Sequence, residues 1–311
     1  MKLIEIAILT NIKGLGSINL NKVLNYCKLN NITSLHELQN ACLRGVVNNK
    51  LVDSIMSYLD CDLSYLYKNM ENILSGYSQD NIHCVSINDE KYPDILKEST
   101  NPPVILYCKG NIDLLNSKCI AVIGTRKNSP IGERIATKTV EFLVQKDFTI
   151  VSGLAKGIDT IAHDTALSNH GKTIAILPLI DNIYPEENKE LVDRILDSNG
   201  LLISEEKPKT KFFSGQLVKR DRIQSGISKA VFIIETSAEG GSMHATNDAI
   251  KLKRPVFTPD VYQLDETYQN QKQVEGIKYL IDTDKSISYT SKNYDEVISQ
   301  LNLSLHKGRL F

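Results

Sequence analysis

The chain has no Cys-x-x-C pair, and its six cysteines, at 27, 42, 61, 84, 108 and 119, stand at no metal-ligand spacing from a histidine. A disulfide framework and a zinc ribbon are thereby excluded, and the cysteines read as reduced thiols, buried or idle. An excess of either charge sign is also missing, with 36 Lys and Arg against 37 Asp and Glu. A surface for nucleic acid would therefore have to be a local patch. No apolar run reaches the roughly eighteen residues needed to cross a bilayer. The stretch Met1 to Leu20 is partly apolar, but Glu5 interrupts it and no small-residue cleavage site follows, so it reads as a helix and not a signal peptide. The expectation is a cytoplasmic protein with no membrane partner. Internal repeats and low-complexity tracts are absent as well. What is there, 311 residues of which 41% are hydrophobic and 23% charged, can bury a full core and suggests one large domain plus a small one.

The small domain is residues 1–80, where Leu35, Leu38 and Cys42, then Leu51, Ile55 and Leu59, recur with helical spacing and strand signals are scarce. Within it Lys13-Gly14-Leu15-Gly16 separates two helical patterns, 3–9 and 20–27, as in a helix-hairpin-helix that turns N–H groups toward a phosphate. A helix cap and turn without any ligand accounts for the same residues. From Ile82 the texture changes. Strand-like runs at 120–123, 149–151, 173–177, 230–234 and 255–257 alternate with helical patterns near 131–146, 157–169, 186–197, 215–227 and 242–252. That alternation predicts an α/β domain over 81–303, a doubly wound parallel sheet with right-handed crossovers. Residues 286–289 and a helix through Leu301 would add an edge strand and a closing helix, leaving 304–311 as a frayed tail. In such sheets ligands collect at the carboxyl ends of the strands.

Three of those ends are rich in glycine. The first is Gly124-Thr125-Arg126, directly before a helix, where backbone N–H groups, helix dipole and a guanidinium would converge on one phosphate. A dinucleotide fingerprint of the form G-x-G-x-x-G is missing there. The second is Ser152-Gly153-Leu154-Ala155-Lys156-Gly157, and the third is Glu239-Gly240-Gly241-Ser242. Asp159 and His163, four apart on one helix, have the spacing of an acid-base pair, but an Asp in a first helical turn caps the helix and a neighbouring His packs, so a structural role is preferred. Between 207 and 222, Lys207, Lys209, Lys211, Lys219, Arg220 and Arg222 surround Phe212 and Phe213 with one acid, Asp221. Basic residues among aromatics suit a single strand, whose phosphates and bases they would meet. A solvated loop with buried rings fits that segment equally well.

Taken in order, Lys91-Tyr92-Pro93, Pro102 to Tyr107, Val122-Ile123-Gly124-Thr125-Arg126, Val151 to Asp159 with Ala162-His163, Tyr184-Pro185, Ile203-Ser204-Glu205, Arg220-Asp221-Arg222-Ile223 and Gly241-Ser242 resemble the DprA (Smf) family over roughly residues 82–300. The resemblance implies an extended Rossmann-like fold, and the helical module is similar to the sterile-alpha-motif-like domain some members carry. It further implies a homodimer that coats single-stranded DNA and loads the RecA recombinase, in homologous recombination and natural transformation, with no catalytic residue, metal or cofactor. Arg126 and the Gly124 turn would hold a phosphate, Ser152 and Gly153 would extend the pocket, and Lys219, Arg220 and Arg222 would follow the backbone. Thr125, Lys156, Gly157, Lys211, Gly240, Gly241 and Ser242 complete the candidate set.

The chain departs from that pattern in three places. Where the family commonly has Phe-Pro-x-Arg-Asn-Arg, it has Leu217-Val218-Lys219-Arg220-Asp221-Arg222; the glycine turn after the third strand is replaced by Leu177-Pro178-Leu179-Ile180-Asp181; and no winged-helix pattern follows residue 300. A second reading is a nucleotide-binding sensor or an enzyme like the cytokinin-activating phosphoribohydrolases, whose signature is Pro-Gly-Gly-x-Gly-Thr-x-x-Glu. Here Asn247 falls where the catalytic glutamate would, and an amide cannot serve as general acid or base.

Overall fold

The computed structural model describes residues 1–307. The chain divides into two compact units. The first comprises Met1–Tyr92 and Thr100–Cys108 and holds helices α1 to α5 (Leu3–Leu9, Ser17–Leu29, Leu35–Gln39, Asn49–Leu59, Leu63–Gln79) and strands β1 (His83–Ser86) and β2 (Ile105–Gly110). Helix α4 shows why these segments fold as they do. Leu51, Ile55 and Leu59 are spaced to bury one face, and the Asn48 side chain accepts the Leu51 N–H at 2.9 Å to cap the start. Gly14, at φ +84°, turns the chain between α1 and α2. The unit is larger than the 1–80 helical module expected from the sequence. Strand β1 pairs antiparallel with β2, Val85 opposite Leu106, and packs against α1 and α5, with Tyr77 of α5 edge-on to Tyr107.

The second unit begins with Pro93–Ser99, which contains α6 (Asp94–Lys97), and resumes at Lys109. It then alternates β3 (Cys119–Ile123), α7 (Pro130–Gln145), β4 (Thr149–Ser152), α8 (Ile158–Ser168), β5 (Thr173–Ile176), α9 (Lys189–Asp197), β6 (Leu201–Ser204), α10 (Gly215–Ile227), β7 (Val231–Ile233), α11 (Ser242–Lys251) and β8 (Val256–Pro259). Helices α12 (Glu266–Gln269) and α13 (Glu275–Asp282), strand β9 (Ile287–Tyr289) and helix α14 (Tyr294–Lys307) close it. Residues 304–307 of the expected tail are thus helical, and 308–311 lie outside the described residues.

Seven strands of this unit run in the order β6-β5-β4-β3-β7-β8-β9, all parallel, with Ile120 beside Ile150, Val122 beside Phe232 and Phe257 beside Ile287. This is the Rossmann-like, doubly wound sheet. Its strands are apolar throughout because helices cover both faces; every residue of β3 to β6 is buried. On one face Phe232 stacks on Phe257 at 4.7 Å, and Phe142 of α7 on Tyr294 of α14 at 4.1 Å. Such rings dominate a core, each contributing about 1.5–3 kcal/mol on burial. From β3 the chain steps outward through β4 and β5 to β6, then returns through α10 to β7 on the opposite side of β3. The reversal places the carboxyl ends of β3 and β7 together, with Ile234 N–H donating to Ile123 O at 3.1 Å and Thr125 N–H to Glu235 O at 2.7 Å. A crevice opens at such a switch point.

Candidate functional site

The three glycine-rich turns do not meet the same fate. At the first, Gly124 is wedged so closely that a side chain would come within 2.7 Å of Ile158 and 3.0 Å of the Glu235 carbonyl. Ser129 caps α7, its Oγ accepting the Gly132 N–H at 2.9 Å. The buried Glu235 carboxylate then accepts both the Ser129 N–H at 2.9 Å and the Ser129 hydroxyl at 2.6 Å. The amino end of α7, expected to face a phosphate, faces a carboxylate of its own chain. Gly132 makes room for that carboxylate, which a methyl group would strike.

At the second turn another carboxylate does the same. Buried Asp159 accepts the N–H groups of Gly153 at 3.1 Å and Ala155 at 3.3 Å. Burial holds its carboxyl above the usual range, opposed by the Arg220 charge and these N–H donors. Gly157, at φ +79°, lets the turn pass against the Thr125 carbonyl. His163 is fully buried beside Thr173 Oγ1, at 2.7 Å, and burial, then the Arg220 charge, push its imidazole down to about 3. The imidazole is thus neutral and enclosed, packed in the core against β5.

The third turn is open. Helix α11 starts after Gly241 with no side-chain cap, and Ser242 Oγ donates to Thr236 Oγ1 at 2.9 Å. Gly241 and Ser242 border a cleft of about 100 Å³ whose other walls include Gly124, Arg126, Arg220 and Asp221. Arg126 is exposed at the rim. Arg220 is the floor: its guanidinium donates to Gly153 O at 3.0 Å, pairs with Asp221 at 2.8 Å and lies 4.0 Å from Asp159. Gly153 has no side chain because Arg220 occupies the space one would take. Burial pushes the Asp221 carboxyl up to about 6, against the pull of Arg220 and with a further push from Asp159. Two polar atoms of the floor, Arg220 Nε and Gln224 Oε1, are buried with no partner among the described residues. Unmet buried donors and acceptors are costly, and both residues line the cleft, where a ligand that reached these atoms would supply the missing bonds.

The structure thus brings Gly124, Arg126, Arg220, Gly241 and Ser242 together, with Gly153 and Gly157 shaping the wall. It takes other candidates elsewhere. Lys219 pairs with Glu206 at 2.7 Å and Glu205 at 3.2 Å, and Arg222 with Glu205 at 2.7 Å. Both are engaged with the loop after β6, away from the cleft walls. Ser152 Oγ donates into the sheet, to Val122 O at 2.7 Å, Thr125 Oγ1 accepts the Lys127 N–H at 3.2 Å, and Lys156 pairs with Glu187 at 2.5 Å. Lys211 is exposed in the loop before α10, and Gly240 N–H is used by Ser237 O at 3.0 Å. Gln224 and Glu235 were missed from the sequence. For Gln224 a signal existed: Gln216, Arg220, Asp221 and Gln224 form a buried polar stripe at helical spacing on α10. Among the described residues no group of His, Cys, Asp and Glu could hold a metal ion, and no helix is long and apolar enough to cross a membrane.

Fold and site together define a doubly wound α/β protein with an arginine-floored polar cleft at the switch point of its sheet. The chain belongs to the DNA recombination-mediator protein A family, whose model matches residues 83–302, and so to the DprA/Smf proteins. It is 40% identical over 173 residues to the DNA processing protein DprA of Streptococcus pneumoniae, covering 55% of this chain and 61% of that protein. To DprA of Bacillus subtilis it is 31% identical over 198 residues, or 63% and 66%. It spans half to two thirds of the length of such curated relatives. The X-ray structure of DNA processing protein A from Streptococcus pneumoniae superposes with a TM-score of 0.77 at 31% identity, over 94% of this chain and 95% of that one. A structure of DNA processing protein A from Helicobacter pylori, described for its single-stranded DNA binding mode, gives 0.61 at 26% identity over 70% and 96%.

Proposed function

We propose that this protein binds single-stranded DNA through the cleft at the β3–β7 switch point, without making or breaking bonds. The observation that carries the reading is the meeting of an uncapped helix start, Gly241 and Ser242 of α11, with Arg126 and Arg220 in one small polar cleft. The helix dipole and the two guanidinium groups there suit an anionic ligand. Gln224 Oε1 and Asp221 add acceptors to the wall, and acceptors need a ligand that also carries donors, as a nucleotide does and a bare phosphate ester does not. A cleft of about 100 Å³ admits part of one nucleotide and cannot take a duplex. Likeness to a Helicobacter pylori protein described for single-stranded DNA binding supports the same reading. A homodimer that hands the strand to RecA in the cytoplasm, during recombination and transformation, is the role we infer from family membership.

The phosphoribohydrolase alternative is not favoured, since Asn247 stands exposed on α11 and an amide offers no proton to a leaving base. The test is Arg126→Ala. It should weaken binding of an oligothymidylate by roughly 1.5–3 kcal/mol, the range for a charge-assisted contact, with little change in melting temperature. The slope of log affinity against log salt should become shallower by about 0.7. A folded variant with unchanged affinity and slope would remove the cleft from the mechanism.

A further inference from the structure

We infer that a second subsite for the strand lies beside the cleft, a base-stacking platform built from Tyr184, Phe212 and Phe213; it rests on the single-strand reading above. Tyr184, in the loop after β5, stacks on Phe212, in the loop after β6, with ring centres 5.0 Å apart and planes 27° apart. Tyr184 is 42% exposed, Phe212 is half-buried, and Phe213, next in the chain, is 57% exposed. Exposed rings of this size lose the hydrophobic stabilisation that burial would bring, so grouped exposure points to a partner surface.

The platform is held in place. The Phe213 N–H donates to Oε1 of buried Gln216 at 2.9 Å, and the Lys209 N–H donates to the Asp181 carboxylate. Gly215 leaves space for the Phe213 ring, which a side chain there would approach to 2.9 Å. Charge selects the occupant. Most carboxylates nearby already have cationic partners, Glu205 and Glu206 on Lys219 and Arg222, Glu187 on Lys156, and Glu186 on Lys189, and exposed Asp181 accepts the Lys209 N–H. Lys209 and Lys211, on the loop that carries Phe212 and Phe213, are exposed. Rings edged by lysines fit bases on a phosphate backbone, because ring faces accept any base while ammonium groups follow the phosphates. The chain leads from the platform directly to the cleft wall. Val218, 49% exposed, lines the cleft from the first turn of α10, which begins directly after Phe213 and Ser214.

The chain has no tryptophan, so Phe213→Trp in the full chain makes a single reporter. Its emission should be quenched by an oligothymidylate and not by an abasic oligomer of equal length and charge. In anisotropy titrations, the double variant Tyr184→Ala, Phe213→Ala should bind the oligothymidylate about five- to thirtyfold more weakly and bind the abasic oligomer as the parent does. An unquenched tryptophan in a protein that still binds the strand would overturn the platform and leave the cleft reading standing. Equal losses for both oligomers, or a change of oligomeric state in the double variant, would also overturn it by assigning the rings to the fold or to a second copy. If the parent chain binds neither oligomer, the cleft reading itself fails and the platform falls with it.

Discussion

Asp221 is the residue at which this chain's chemistry is most its own. Its carboxylate sits in the cleft, bonded to Arg220 and to Gln224 Nε2 at 3.0 Å, and so offsets part of the charge that would attract a phosphate. With its pKa pushed up to about 6, the group is ionised at neutral pH and gains a proton as the medium turns mildly acid. Single-strand affinity should therefore rise as pH falls from 7.5 to 5, and Asp221→Asn should tighten binding at pH 7.5 by about 1–2 kcal/mol while flattening the profile. The stability sign follows from the same shift. The folded state holds this proton more tightly than the unfolded chain, so the contribution is fully present below the unfolded value of 3.8 and declines as pH rises through about 6. Above that range ionised Asp221 costs the fold on the order of 2–3 kcal/mol. Urea titrations should find Asp221→Asn more stable than the parent at pH 7.5 and no more stable at pH 4. A stability difference that stays constant across that range would contradict the assignment.

At the scale of elements, buried carboxylates fill two of the three glycine-rich turns, Glu235 at the start of α7 and Asp159, from the first turn of α8, on the loop before it, while the start of α11 has no side-chain cap. Glycines next to these ends should then respond differently to a methyl group. Gly132→Ala drives against Glu235 and should destabilise the fold by roughly 1–3 kcal/mol. Gly241→Ala meets open space at φ -55° and should leave the melting temperature nearly unchanged. Differential scanning calorimetry of the two variants reads the contrast directly, and equal shifts would mean that the α7 start is less tightly filled than the geometry indicates. The strands β3, β4, β5, β7 and β8 were legible in the sequence because each is a run of β-branched and apolar residues between turn signals. Strand β6, Leu201–Ser204, is as long as β4 and β5, but its Leu-Leu-Ile run follows closely on α9 and reads equally as helix, and β1 carries His83 and Ser86, which blur its apolar pattern. The glycine turns were legible for the same local reason. Which of them is filled was not, since Glu235 reaches Ser129 across 106 residues and Arg220 reaches Gly153 across 67. Nor can spacing tell that Lys219 and Arg222 spend their charge on Glu205 and Glu206.

For the whole molecule, the proposed homodimer should appear in light scattering at twice the chain mass of 34.8 kDa, and a single species at the monomer mass under binding conditions would remove that part of the proposal. The parallel sheet of the second unit has a consequence for engineering. With all seven strands pointing one way, the segments that leave their carboxyl ends hold Arg126, Gly153, Tyr184, Phe213 and Gly241, while the segments that enter their amino ends hold none of the proposed strand-binding residues. Permissive and forbidden places for inserted sequence should therefore segregate to opposite edges. A short Gly-Ser insert after exposed His170, in the turn that leads into β5, should be accepted with strand affinity intact. The same insert between exposed Ala238 and Glu239 should leave a folded protein that has lost its grip on the strand. A tag, a fluorophore or a fused domain belongs on the edge where β5 begins.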